Sequence, residues 1–202
     1  MKTYALTSVP DAAFNAARAA AWAYLQNGPL DDLLSEAAHA PLRSLALPLQ
    51  ACWSVGLHAQ VTLKGALTPT HITRARMIAA QPGCVWAGAL LGPLRAATFT
   101  GTVTLSPVGM RTQIAGSGTS PEVHSLVDAV MQTCSAHLHT THAQLRDGGA
   151  SLTQAAERFG WQFDRHGALV QVAPPLTLFA DALTQNAPTI STQRPKSLFE
   201  EM

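Results

Sequence analysis

Between Leu57 and Lys64 the chain alternates strictly. Leu57, Ala59, Val61 and Leu63 are apolar, while His58, Gln60, Thr62 and Lys64 are polar. That period of two predicts a strand with one dry face and one wet face. Around it the punctuation is helical. Residues 10–27 read as a helix, with Pro10 suited to the first turn, Asp11 to the positive end of the dipole, and Gly28 as the stop. Pro29 opens a second helix with Asp31 and Asp32 in its first turn, expected to end near Pro41. Thr68 caps a third, Pro69 takes its first position, and Pro82-Gly83 terminates it.

The next segment, "CVWAGALLG", is uniformly apolar and reads as a strand, with a turn at Gly92-Pro93. A long strand is then expected over "LRAATFTGTVTL". Pro107-Val108-Gly109 turns it into "VGMRTQI", where Val108, Met110, Thr112 and Ile114 share a face. A long helix starts near Ser120-Pro121-Glu122 and reaches Asp147, and a shorter one spans about 151–159. "WQFDRHGALVQV" reads as a hairpin around Asp164 to Gly167, and 174–186 as a last helix. Short turns between strands imply antiparallel neighbours. The expected fold class is therefore α+β, a mainly antiparallel sheet with helices on one face. Residues 1–186 read as one domain with a sub-boundary near 148–151, and 187–202 as a mobile C-terminal tail.

Composition narrows the function classes. Only 12% of the 202 residues are charged and the net charge is +1, so there is no electrostatic footprint for nucleic acid or an anionic membrane. The start of the chain lacks the apolar core of a signal peptide, and the apolar stretches are shorter than a membrane span. A cytoplasmic protein is expected. Cys52, Cys84 and Cys134 are odd in number and set among apolar residues, which suggests buried free thiols.

Candidate chemistry is sparse. "CSAHLHTTH" holds three histidines and a cysteine, but on a helix Cys134 falls on the buried stripe with Val123, Val127, Val130, Met131, Leu138 and Leu145. His137 and His142 then sit on opposite edges of the stripe, and His139 points outward. The four do not converge; His139 and His142 alone could share a metal, given a third ligand. The loop "IAGSGTSPEV" offers Gly116, Ser117, Gly118 and Thr119 at a helix start, with His124 nearby. It supports an alternative reading, a small-ligand or anion-binding domain or an enzyme built on one. It lacks the lysine of a phosphate loop and the third glycine of a dinucleotide loop. No paired carboxylates or nucleophile elbow stand out, and no cofactor is expected.

Two features point to proteins instead. Thr98, Thr100, Thr102 and Thr104 would line one face of the expected strand, an uncharged surface suited to a partner. In the tail, Leu198 and Phe199 form an apolar hook. Ser197-Leu198-Phe199 resembles the end of the bacterial sliding-clamp-binding peptide, which would link the chain to DNA-metabolism proteins, although Pro195 and Lys196 depart from its upstream positions.

The unit "LTQAAERFGWQFDRHGALVQV" resembles the helix–strand–turn–strand unit of YbjN-like bacterial proteins. The order of elements before it is similar to the α+β layout those proteins share with type III secretion chaperones. The resemblance implies a non-catalytic, chaperone-like or adaptor protein that binds other proteins as a homodimer. This chain is longer and closer to neutral than secretion chaperones, so only the adaptor reading carries over, and no functional residue transfers.

Overall fold

The computed structural model describes residues 2–56, 58–116 and 120–172. A 3-10 turn at Leu6–Ser8 precedes α1 (Asp11–Gln26) and α2 (Pro29–Ser44). Strands β1 (Leu49–Val55) and β2 (Ala59–Leu67) follow, then α3 (Pro69–Ala79) and α4 (Ala87–Ala96). Strands β3 (Val103–Val108) and β4 (Arg111–Ala115) lead into α5 (Pro121–Asp147). Helix α6 (Ala150–Arg158) feeds a hairpin of β5 (Gln162–Phe163) and β6 (Leu169–Gln171). The large sheet runs β1-β2-β3-β4, antiparallel throughout, and the fold is α+β as expected.

The core is organised by α5. Its Val123, Leu126, Val127, Val130, Cys134, Leu138 and Leu145 are buried in one stripe at helical spacing. That stripe packs against α2, α4, α6 and β2. From the sheet side, Leu49, Ala51, Val61, Leu63, Val103 and Leu105 face the same interior. Antiparallel register explains why they do: Ala51 stands opposite Leu63 and Trp53 opposite Val61, so apolar partners point the same way. All buried apolar residues from Leu6 to Phe163 belong to a single cluster.

Local sequence accounts for the ends of several helices. The Thr68 hydroxyl accepts from the His71 backbone N–H, and the His71 ring accepts from the Thr68 N–H, a reciprocal capping box ahead of Pro69. Gly148 closes α5 in the left-handed conformation. At the far end of α4, the Arg76 guanidinium of α3 donates twice to the Leu94 carbonyl, satisfying an orphan acceptor.

Four expectations are corrected. "CVWAGALLG" is not a strand: its second half begins α4, because Leu90 and Leu94 bury together one turn apart, and helix packing outweighs the apolar run. Pro93 lies inside that helix rather than in a turn, and α2 runs one turn-end past Pro41 to Ser44 with Pro41 and Leu42 buried. The long strand from Leu94 is confined to β3, which starts at Val103. Strand β1 is not anticipated from the sequence although it alternates in the same way as β2. Expected residues 174–186 and the tail 187–202 lie outside the described residues, as does the proposed domain end at 186.

The hairpin of β5 and β6 docks on α1 through a glycine. Gly167 has φ +84, and a Cβ there would meet the Ala13 carbonyl oxygen at 2.5 Å and the Ala17 nitrogen at 2.6 Å. Gly83 has nearly the same φ, +85, with open space around it. Gly83→Ala should therefore cost only the left-handed penalty, about 1 kcal/mol. Gly167→Ala should cost clearly more, since helix backbone must also move. Urea unfolding of the two variants measures the difference; equal losses would show that α1 and the hairpin are not in contact.

Candidate functional site

Among the described residues, helices cover one face of the large sheet and none covers the other. On the open face β1 presents Gln50, Cys52 and Ser54, and β2 presents Gln60, Thr62 and Lys64 opposite them. From β3 and β4 come Thr104 opposite Ala115 and Ser106 opposite Gln113. The charged side chains among these strand residues are Lys64 and Arg111, both cationic and both exposed. Val108 and Met110 at the β3–β4 turn are 57% and 61% exposed. That turn curls toward Cys52 and Thr62 and leaves a shallow cleft of about 210 Å³. Thr62 donates its hydroxyl to the Cys52 carbonyl and is nearly buried there.

The two edges of the sheet differ. On the β1 side, the His39 ring of α2 accepts at Nε2 from the Ala51 backbone N–H at 3.0 Å, and its Nδ1 lies 2.8 Å from the Ser35 carbonyl. A ring that accepts at one nitrogen and meets a carbonyl at the other is the Nδ1–H tautomer. Helix α2 thus satisfies an N–H that the edge would otherwise expose. On the β4 side, no backbone hydrogen bond among the described residues reaches the outer edge. Inside the sheet, the Thr112 hydroxyl of β4 accepts from the Leu63 N–H at 2.9 Å, beyond the last β2–β3 pair at Gly65 and Leu105. Pro107, which has no N–H for a ladder, stands where that pairing stops.

The expected threonine ladder is only partly real. Thr98, Thr100, Thr102 and Thr104 are all exposed, but only Thr104 lies in a strand. The other three belong to the connection from α4, where Ala97 is buried and Gly101 takes a positive φ, so they do not share a pleated face. The Leu198–Phe199 hook lies outside the described residues.

The loop reading finds little convergence. Gly116 has a structural reason for being glycine: a Cβ would sit 2.7 Å from the Thr102 carbonyl oxygen. His124 Nδ1 lies 3.1 Å from the Ser120 carbonyl, within its own helix start. Ser117, Gly118 and Thr119 lie outside the described residues.

On α5 the histidines diverge as expected. His137 meets Trp86 edge-on at 5.1 Å, His142 meets Trp22 edge-on at 5.6 Å, and His139 is exposed. Among the described residues, no three His, Cys, Asp or Glu side chains are grouped to hold a metal ion. Burial lowers the pKa of His137, and burial, with Arg146 and His139 nearby, lowers that of His142. Beside them, a groove of about 370 Å³ between α2, α5 and α6 holds the ion pair of Arg158 and Glu36, at 2.7 and 3.0 Å. The Arg158 guanidinium keeps the Glu36 carboxyl below its usual range, so this carboxylate is already matched. Among the described residues no helix is long and apolar enough to cross a membrane.

The cysteines are not alike, which corrects the expectation that all three are buried. Cys134 is fully buried and desolvation pushes its thiol up to about 12, whereas Cys52 is exposed and Cys84 half-exposed. The open β4 edge and Met110 were missed by sequence reasoning. The alternation Gln50, Cys52, Ser54 was a signal that could have revealed the wet face of β1.

Two predictions follow from this arrangement. A thiol reagent at neutral pH should label Cys52 first, Cys84 next and Cys134 only on unfolding; stoichiometric native labelling of Cys134 would contradict its burial. Histidines with lowered native pKa values are protonated more readily in the unfolded chain. Stability is then complete above the ordinary value of 6.5 and falls as the pH drops below it. In urea titrations across that range, His137→Gln should flatten the fall; an unchanged slope would remove His137 from the account.

Comparison of the chain with protein-family models, with curated proteins and with solved structures finds no match.

Proposed function

We propose that the protein is a non-catalytic, chaperone-like adaptor that binds other proteins and acts as a homodimer. One observation carries the reading. Among the described residues, the helices bury one face of the sheet and α2 satisfies the Ala51 N–H at the β1 edge, while nothing covers the opposite face or the β4 edge, whose strand residues carry two cations, Lys64 and Arg111, and no carboxylate. Solvent-facing sheets normally guard open edges with charge or bulges. Here the β4 run Arg111-Thr112-Gln113-Ile114-Ala115 carries one charge, at its end. Chemistry finds less support: among the described residues the carboxylates with shifted pKa values are ion-paired or hydrogen-bonded to a hydroxyl or to backbone N–H groups.

The β4 edge suits a second copy. Antiparallel pairing about a two-fold axis at Gln113 sets Arg111 opposite Ala115 and Thr112 opposite Ile114, with no like charges face to face. Thr112 and Ile114, half-buried within one chain, then continue the dry face across the junction. The sparsely charged outer face, including Thr104, Ser106 and Met110, is left for another protein, and the Leu198–Phe199 pair adds an apolar anchor of a few kcal/mol at most.

Sedimentation at micromolar concentration should show a dimer. Gln113→Lys with Ala115→Lys places like charges at three cross-edge pairs, each costing up to about 1 kcal/mol. The dissociation constant should rise tenfold or more, with the melting temperature of the monomer little changed. A wild-type monomer, or a dimer indifferent to the two lysines, would refute this interface.

A further inference from the structure

Helices α2, α5 and α6 wall a groove of about 370 Å³, within the roughly 300–1,000 Å³ of small-molecule sites. Leu33, Ala37, Ala40 and Leu145 give it apolar walls. Its charged residues are Glu36, Arg43 and Arg158. Glu36 and Arg158 are joined by a two-pronged ion pair, at 2.7 and 3.0 Å. Arg43 has no carboxylate of its own. Its Nη2 donates to the Glu36 backbone carbonyl at 2.9 Å, and its Nε and Nη1 meet no acceptor among the described residues.

Two guanidiniums and one carboxylate leave one positive charge on these walls. Burial lowers the pKa of His137 on the α5 wall, so that ring is uncharged at neutral pH and leaves the sum as it is. Asp32 acts on Arg158 from outside the groove walls, which leaves Arg43 as the unmatched cation. Pinned at one nitrogen to a helix carbonyl, the Arg43 guanidinium keeps donors to spare. Such a donor fits a carboxylate well. Thr141 of α5 and Gln154 of α6 add a hydroxyl and an amide to the same walls. A cation, two neutral hydrogen-bonding groups and an apolar floor make up a site for an organic anion.

We propose that this groove binds a small aliphatic carboxylate, with its charge on Arg43 and its hydrocarbon part along Ala37, Ala40 and Leu145. A single unmatched charge suits a monoanion, and the apolar walls call for a chain that inorganic phosphate lacks. Glu36 sets the selectivity, because it neutralises the second guanidinium and repels a dianion. The inference does not rest on the adaptor reading, since it uses none of the sheet residues.

The test titrates the full chain, labelled with nitrogen-15, with sodium hexanoate. The Arg43 Nε signal is identified by its loss in Arg43→Gln. Hexanoate should shift that signal saturably, with a dissociation constant on the order of 1 mM, and leave those of Arg74 and Arg165, exposed elsewhere, in place. Hexanamide lacks the charge, and acetate and inorganic phosphate lack the chain. Each should bind about tenfold more weakly or worse. Two variants, followed on the backbone amides of α2, should move in opposite directions. Arg43→Gln should weaken hexanoate binding about tenfold, and Glu36→Gln, which frees Arg158, should tighten it severalfold. No saturable shift of the Arg43 signal overturns the proposal. So does hexanamide or phosphate binding as well as hexanoate, or Glu36→Gln binding no better than the wild type. Should Arg43→Gln unfold the chain, the wild-type probes and Glu36→Gln decide.

Discussion

Everything in this fold leans on one stripe of α5. Seven buried side chains from Val123 to Leu145 are shared among helices on either flank and the sheet beneath. The helix is 27 residues long, so it offers one continuous rail of about 40 Å along which separate elements can dock. Because α2, α4, α6 and β2 each pack on that rail more than on one another, their relative positions are set through α5. A thiol in the middle of the rail is inert for the same reason that the rail works: no water reaches it.

That central packing leaves the sheet asymmetric. Its buried apolar side chains face the helices, and the other face holds mostly neutral polar side chains with Ala115 and Val108 among them. Small polar residues on a pleated surface find backbone partners locally, as the Thr62 hydroxyl does in donating to the Cys52 carbonyl. Such a surface is wet but weakly charged, and it does not repel other proteins by its own field.

Much of the architecture was legible because helix ends are written locally. Pro29 after Gly28, Thr68 before Pro69, and Ser120 before Pro121 announce their helices within three residues. The hairpin was equally clear from Asp164, whose carboxylate accepts from the Ala168 and His166 N–H groups across the turn. Helix α4 was not legible. Its run of Ala, Leu and Gly has no visible period, and the choice of helix is made by burying Leu90 and Leu94 as α4 packs on α5, which begins far downstream at Pro121. The candidate surface was only partly readable. Thr104 was found, but the edge of β4 becomes an edge only when the order of four strands is known. His39 likewise gives no pattern to notice, since its meaning depends on Ala51 lying across from it.

The seating of His39 on Ala51 has a consequence for growth. A sheet open at both ends can add copies without limit, each new molecule offering a fresh edge, and that is how strand pairing turns into fibres. Here one end is stoppered by an imidazole belonging to the same chain. Strand addition can happen at the other end once, and if the newcomer is a second copy the pair closes on itself with a stopper at both outer margins. A single imidazole thereby withholds the Ala51 N–H from a further strand and disfavours growth at that margin.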